Sequence, residues 1–232
     1  QRRILQANLI AHGVLPGLAI AIALQLDPAI GGWISGLAAA LLAERLMRNH
    51  QQQQEAVQNT VLAGALATGV LLLALLQQRV ELEALLFGDL LIAGGRDLFQ
   101  TLLAAAAAIA LIGSQYQRLV FSGVDPDGAE AAGVPIQRLR ILLAVVTTLV
   151  IVSAISAVGI ILVIALLCAP AVLGLQQASS LSGAMTRAAV IGSSCSLGGF
   201  GMALLLDLPP GPVIGLLCLV LLWLPKSDHS KN

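Results

Sequence analysis

Charge is what this sequence has least of. Only 10% of its 232 residues are Asp, Glu, Lys or Arg, and twelve basic side chains balance twelve acidic ones. A soluble domain carries roughly 25% charged residues, so too little polar material is present to clothe a surface facing water. Aromatic residues make up 3%, and no Lys/Arg-rich block occurs, which excludes nucleic acid as a partner. Cysteine is scarce as well. Cys168, Cys195 and Cys218 sit singly inside apolar runs without CxxC spacing, so they read as small buried hydrophobes, not as a disulfide framework or a thiolate metal site. The first residues, Gln1 to Gln6, carry neither an initiator Met nor a cleavable signal, and the chain is expected to begin inside a longer protein.

What abounds is apolar. Hydrophobic residues make up 58% of the chain and the mean hydropathy is +0.92, so the natural solvent is lipid. At about 20 residues per membrane-crossing helix, the length accommodates about eight spans. The expected fold is all-α: a polytopic helical bundle forming a single transmembrane domain over residues 1–232, incomplete at its N-terminal side. The apolar runs fall at 8–26, 30–47, 57–76, 98–117, 139–156, 158–175, 186–206 and 211–224. Residues 84–93, interrupted by Gly88 and Asp89, are too short to cross and suit a re-entrant or interfacial piece.

Basic residues collect in cytoplasmic loops. Placing the loop at 118–138 in the cytoplasm puts Arg2, Arg3, Arg45, Arg48, Arg118, Arg138, Arg140, Arg187, Lys226 and Lys231 on that side, leaving only Arg79 and Arg96 outside. Six acids, Asp27, Glu81, Glu83, Asp89, Asp97 and Asp207, then lie outside. Adding or losing one crossing would scramble this ten-to-two split, so it supports the span count and a cytoplasmic C-terminus together. Gly13 with Gly17, Gly32 with Gly36, and Gly211 with Gly215 are GxxxG pairs of the kind that let membrane helices pack closely.

Few residues here can carry chemistry. Asn8 and His12 are four apart and share one helical face, in an apolar span where an imidazole is expensive and marks function by default. Neutral imidazole is also the commonest transition-metal ligand; the competing reading of His12 is a hydrogen-bonded structural histidine. Pro16 follows, removing a backbone donor and loosening the helix beside the histidine. Glu55 opens the third span, either as favourable charge at a helix N-terminus or as a ligand. In the loop at 122–137, Asp125 can cap a short helix with Pro126 in its first turn and Gly133 at its end. That helix is either an ordinary capped loop element or a docking knob.

Enzyme motifs are absent: there is no HExxH and no GxxxxGK[ST]. Gly192-Ser193-Ser194-Cys195 looks superficially like a serine-protease motif, but the only later histidine is His229 in the polar tail, so no base is available on a later span. Catalysis has no supporting constellation.

Several stretches carry a resemblance. Arg2 to Ala21 through Pro16, Leu86 to Leu91, Asp125 to Gly133, Val158 to Ala171, and Leu206 to Gly211 resemble, in order and over essentially the whole chain, the permease subunits of bacterial ABC importers for manganese, zinc or iron. The resemblance implies a homodimeric permease in the bacterial inner membrane, a cytoplasmic ATPase docking on the loop helix, and an extracytoplasmic metal-binding protein delivering the ion. It implies no permanently bound cofactor, the divalent metal being the transported substrate. Ala129 and Gly133, with Asp125 and Glu130 beside them, match the ATPase-coupling segment. His12, Asn8 and Glu55 match the transit site for the metal. Relatives commonly carry Asp four residues before the histidine; here Asn8 replaces a carboxylate by an amide with a single acceptor oxygen. The rival functions are a permease for a metal chelate or other small organic cargo, and a membrane scaffold that transports nothing.

Overall fold

The computed structural model describes residues 2–49, 53–76, 94–176, 178 and 180–223. Among these every regular element is helical. The expected re-entrant piece at 84–93, the Leu86 to Leu91 stretch, His229 and the terminal lysines lie outside the described residues. The helices are α1 (Arg2–Gly13), α2 (Leu15–Ala23), α3 (Pro28–Asn49), α4 (Gln54–Leu75), α5 (Gly95–Val124), α6 (Pro126–Ala131), α7 (Ile136–Val158), α8 (Ile160–Gln176), α9 (Leu181–Leu206) and α10 (Pro210–Trp223).

Local chemistry sets these boundaries. Pro28 opens α3 just after Asp27, whose carboxylate accepts the Ala29 N–H at 3.0 Å. At the start of α5 the Asp97 carboxylate accepts the Gly94 N–H at 3.0 Å, satisfying a donor that a helix start leaves orphaned. The Ser180 hydroxyl does the same for Gly183 at 3.2 Å ahead of α9. Gly159, at φ +81°, separates α7 from α8. Asp207, left-handed at φ +53°, ends α9, and Pro210 begins α10.

The eight apolar runs all reappear as helices, but they are unequal. Counting the α1–α2 rod once, six helical stretches among the described residues are long and apolar enough to cross a membrane: Gln6–Ala23, Pro28–Met47, Gln54–Leu75, Gly95–Val124, Ile136–Ile155 and Leu181–Leu206. Over the described residues the other two, α8 with 17 residues and α10 with 14, measure about 25 and 21 Å, short of a hydrocarbon layer of about 30 Å. Gly159 precedes one and Pro210 opens the other.

The chain divides into two compact units, residues 1–163 and 164–232. In the first, the α1–α2 rod is the central element, with 61% of its span buried against 11 to 39% for the other candidate spans of this unit. α3 returns antiparallel to the rod at very short range. Gly17 and Gly31 put backbone against backbone, so that a Cβ on either would collide with the other's carbonyl oxygen. A Cβ on Gly13 would come within 2.7 Å of Ala39. Gly13 and Gly17 thus act as the GxxxG spacing predicts, but the partner of Gly17 is Gly31, whereas Gly32 and Gly36 face Val14, Val152, Ile10 and Thr148. α4 packs on α1, α2 and α3, and α7 on α3 and α5.

Two ion pairs tie the first unit at opposite ends. Asp27 pairs with Arg96, and Glu44 with Arg140 at 2.9 Å. The sequence assigns the first two residues to one side of the membrane and the second two to the other, so both pairs agree with the deduced alternation of spans. In the second unit α9 and α10 pack together. There a Cβ on Gly174 would meet the Ala184 carbonyl at 2.6 Å, and Gly192 lies against the Pro170 ring. The Gly192 to Cys195 string therefore packs helices, as its small residues suggest.

Candidate functional site

Between Ala7 and Ile20 the rod is buried except at Asn8, His12, Pro16 and Ile20. These four recur every fourth residue and form one slowly winding stripe. At its upper end, near the α2–α3 turn, Pro16 and Ile20 line an apolar cavity of about 220 Å³ together with Leu26, Ile30, Ile34 and Ser35. At its lower end stand the two polar residues singled out in the sequence.

His12 is half-buried, and its Nδ1 lies 3.1 Å from the Asn8 main-chain oxygen. A carbonyl oxygen can only accept, so this bond requires the proton on Nδ1 and leaves the Nε2 lone pair of the neutral ring free. Metal-binding histidines are oriented in just this way, with the second ring nitrogen donating to a carbonyl. The side-chain carboxamide of Asn8, also half-buried, makes no hydrogen bond among the described residues. Its oxygen stands one turn from the imidazole on the same stripe.

The backbone above His12 is interrupted. Pro16 has no N–H to offer the His12 carbonyl four residues back. The neighbouring Val14 carbonyl accepts both from Leu18 N at 3.0 Å and from the Ser35 hydroxyl of α3 at 3.0 Å. Ser35 was missed in the sequence; a hydroxyl inside an apolar span was the available signal.

Glu55 is exposed in the first turn of α4 and is not brought to His12. α4 runs parallel to the rod, because a short connection folds it back on α3. Gly69 rests on Leu15 and Pro16, which fixes the register. Glu55 lies about 21 Å below Gly69, whereas His12 lies about 4.5 Å below Leu15, a separation of about 16 Å along the axis. Closer to the stripe is Gln58, which shares a face of α4 with Val61 and Gly69 and is 5% exposed. Its level is about one turn below Asn8. Among the described residues no group of three or more His, Cys, Asp or Glu could hold a metal ion, so His12 and its neighbours amount to a partial ligand set within one chain.

The loop helix α6 is built as its residues predict. The Asp125 carboxylate accepts the Gly128 N–H at 2.9 Å, and Pro126 occupies the first turn. At the other end Gly133 N donates to Glu130 O at 3.0 Å and Val134 N to Ala129 O at 2.9 Å, the paired closure of a Schellman motif. It requires the left-handed φ of +76° that Gly133 adopts. Ala129 is fully buried and anchors the helix, while Asp127, Glu130, Ala131 and Ala132 are exposed. The knob thus has a rigid base and a free face.

Comparison with known proteins sets these features in context. The family model described as the ABC 3 transport family matches residues 1–227. The manganese transport system membrane protein MntC of Listeria monocytogenes is 29% identical over 220 residues, covering 95% of this chain and 79% of that protein. The chelated iron transport system membrane protein YfeD of Yersinia pestis is 29% identical over 210 residues, covering 90% and 71%. Among solved structures, PsaBC from Streptococcus pneumoniae in complex with Fab superposes with a TM-score of 0.82 at 30% identity, covering 95% of this chain and 79% of that one. The family-model match along nearly the full length, with these relatives, shows that this chain belongs to the ABC 3 transport family, as a metal-type ABC permease subunit.

Proposed function

We propose that the chain is the membrane permease of an ATP-driven importer of a divalent transition metal ion, manganese or iron ahead of zinc, working by alternating access as a homodimer in the bacterial inner membrane. The observation that carries this reading is the stripe on the otherwise buried rod, with an imidazole whose Nε2 is free and an amide oxygen one turn away. Mn(II) and Fe(II) accept mixed nitrogen and oxygen donors, and the manganese system of MntC and the chelated iron system of YfeD support those two metals. Incomplete coordination by one chain suits transit, since a site must release its cargo as well as admit it.

In this mechanism an extracytoplasmic metal-binding protein delivers the ion to the mouth near Asp27 and the apolar cavity. The ion sheds water and meets His12 and Asn8. Gln58, one turn further down, and Glu55, at the foot of α4, are later stations on the way to the cytoplasm. A separate cytoplasmic ATPase seats on α6, with Asp125 and Gly133 holding the helix in shape, Ala129 anchoring it and Glu130 on the contact face. The chain itself hydrolyses nothing. All eight apolar helices cross or enter the bilayer, with the C-terminus cytoplasmic.

The test is uptake of radioactive manganese and iron by cells carrying the whole transporter. His12→Ala is expected to lower uptake at least tenfold at unchanged membrane abundance, the loss that one 1.4 kcal/mol interaction brings. Normal uptake by His12→Ala would replace this reading with a chelate or organic cargo. Absence of any uptake, together with no effect on an ATPase, would leave only a scaffold.

A further inference from the structure

Cys195 and Cys218 are remote in sequence, yet the second unit brings them face to face. α9 and α10 are antiparallel across the short turn at 207–209, and Gly199 rests on Ile214: a Cβ on Gly199 would come within 2.6 Å of the Ile214 side chain and 3.0 Å of its Cα. One turn back along α9 and one turn forward along α10 stay level in such a pair, which sets Cys195 opposite Cys218. Both are 1% exposed, and neither is in a disulfide.

The pair offers two soft sulfur donors in apolar surroundings, with no third His, Cys, Asp or Glu close enough among the described residues to complete a larger ligand set. A structural zinc, which wants four ligands, does not fit. Manganese and ferrous ions prefer nitrogen and oxygen donors. Charge narrows the choice further, because an uncompensated charge in an apolar interior is costly. Two thiolates around a monovalent cation leave a net negative charge; around a divalent cation they leave none.

We infer that Cys195 and Cys218 form a dithiol site for a soft divalent cation satisfied by two opposed ligands, of which mercuric ion is the type. Two thiols bind one cation, two sulfur–metal bonds form, two protons leave to solvent, and no electron is transferred. The bound ion staples α9 to α10. The site is separate from the His12 stripe and stands whether or not manganese or iron is the cargo.

The experiment titrates the full chain, purified into lipid nanodiscs without reductant, with mercuric chloride, following sulfur-to-mercury charge-transfer absorbance and proton release. Expected are one tightly bound ion shared by two thiols and two protons released. Cys195→Ser and Cys218→Ser should each weaken that binding by more than the roughly 10–100-fold that loss of a mere outer-shell partner costs, and Cys168→Ser should leave it unchanged. Independent binding of one ion per thiol, or undiminished tight binding in Cys195→Ser, overturns the site. So that misfolding of a serine variant does not decide the matter, mercury-loaded wild type is also digested and weighed. A mercury-bridged pair of peptides holding Cys195 and Cys218 supports the site, and mercury found only on Cys168 overturns it.

Discussion

His12 owes its poise to an oxygen of its own helix. The Asn8 carbonyl takes the Nδ1 proton and so fixes which ring nitrogen can meet a cation, while the Asn8 carboxamide remains uncommitted beside it. Replacing Asn8 by Asp adds a full carboxylate to the stripe without lengthening the side chain. Asn8→Asp is expected to lower the apparent KM for manganese about tenfold, as one added interaction of 1.4 kcal/mol would, and to lower the maximal rate because release slows. Initial-rate uptake over a range of concentrations checks this, and an unchanged KM would remove Asn8 from the path. The Asn8–His12 spacing was legible in the sequence because both lie on one helix and its geometry is local. The distance of Glu55 was not, since it depends on the packing of Gly69 on Leu15, a contact between residues more than fifty positions apart.

At the scale of elements, Asp125, Pro126 and Gly133 act within their own turn, and α6 begins and ends beside them as expected. The structure adds Asp27, Pro28, Gly159 and Pro210 as local marks of helix ends. Contacts between helices obeyed a different rule. Gly31, and not Gly32, meets Gly17, because which side of α3 faces the rod is decided by the fit of the whole hairpin. The sharpest element-level expectation concerns α6. A β-branched residue at position 133 would pay about 1–2 kcal/mol to hold a left-handed φ, whereas Asn tolerates it. Gly133→Val is therefore expected to reduce stimulation of the ATPase several-fold in proteoliposomes, with Gly133→Asn close to wild type. Equal stimulation by both variants would detach the Schellman closure from coupling.

Across the whole molecule, composition identified the solvent and the charge asymmetry sets the expected direction, while the two ion pairs at opposite ends of the first unit agree with the alternation of spans. Direction has its own test. In intact cells a membrane-impermeant maleimide should label Asp27→Cys and spare Glu130→Cys, the reverse holding for inside-out vesicles; the opposite pattern would invert the topology. Asp27 can be replaced for this purpose because its partner Arg96 is largely exposed, and ion pairs at a surface contribute only about 0–1 kcal/mol. The long helix α5 links these ends. It extends about 45 Å, Arg96 in its first turn holds Asp27, and Asp125 at its far end is also the N-cap of α6. With a single residue serving both helices there is no flexible linker at that joint, so α5 has the form of a push-rod: a displacement of the loop helix would be delivered to the turn beside the cavity at the opposite end.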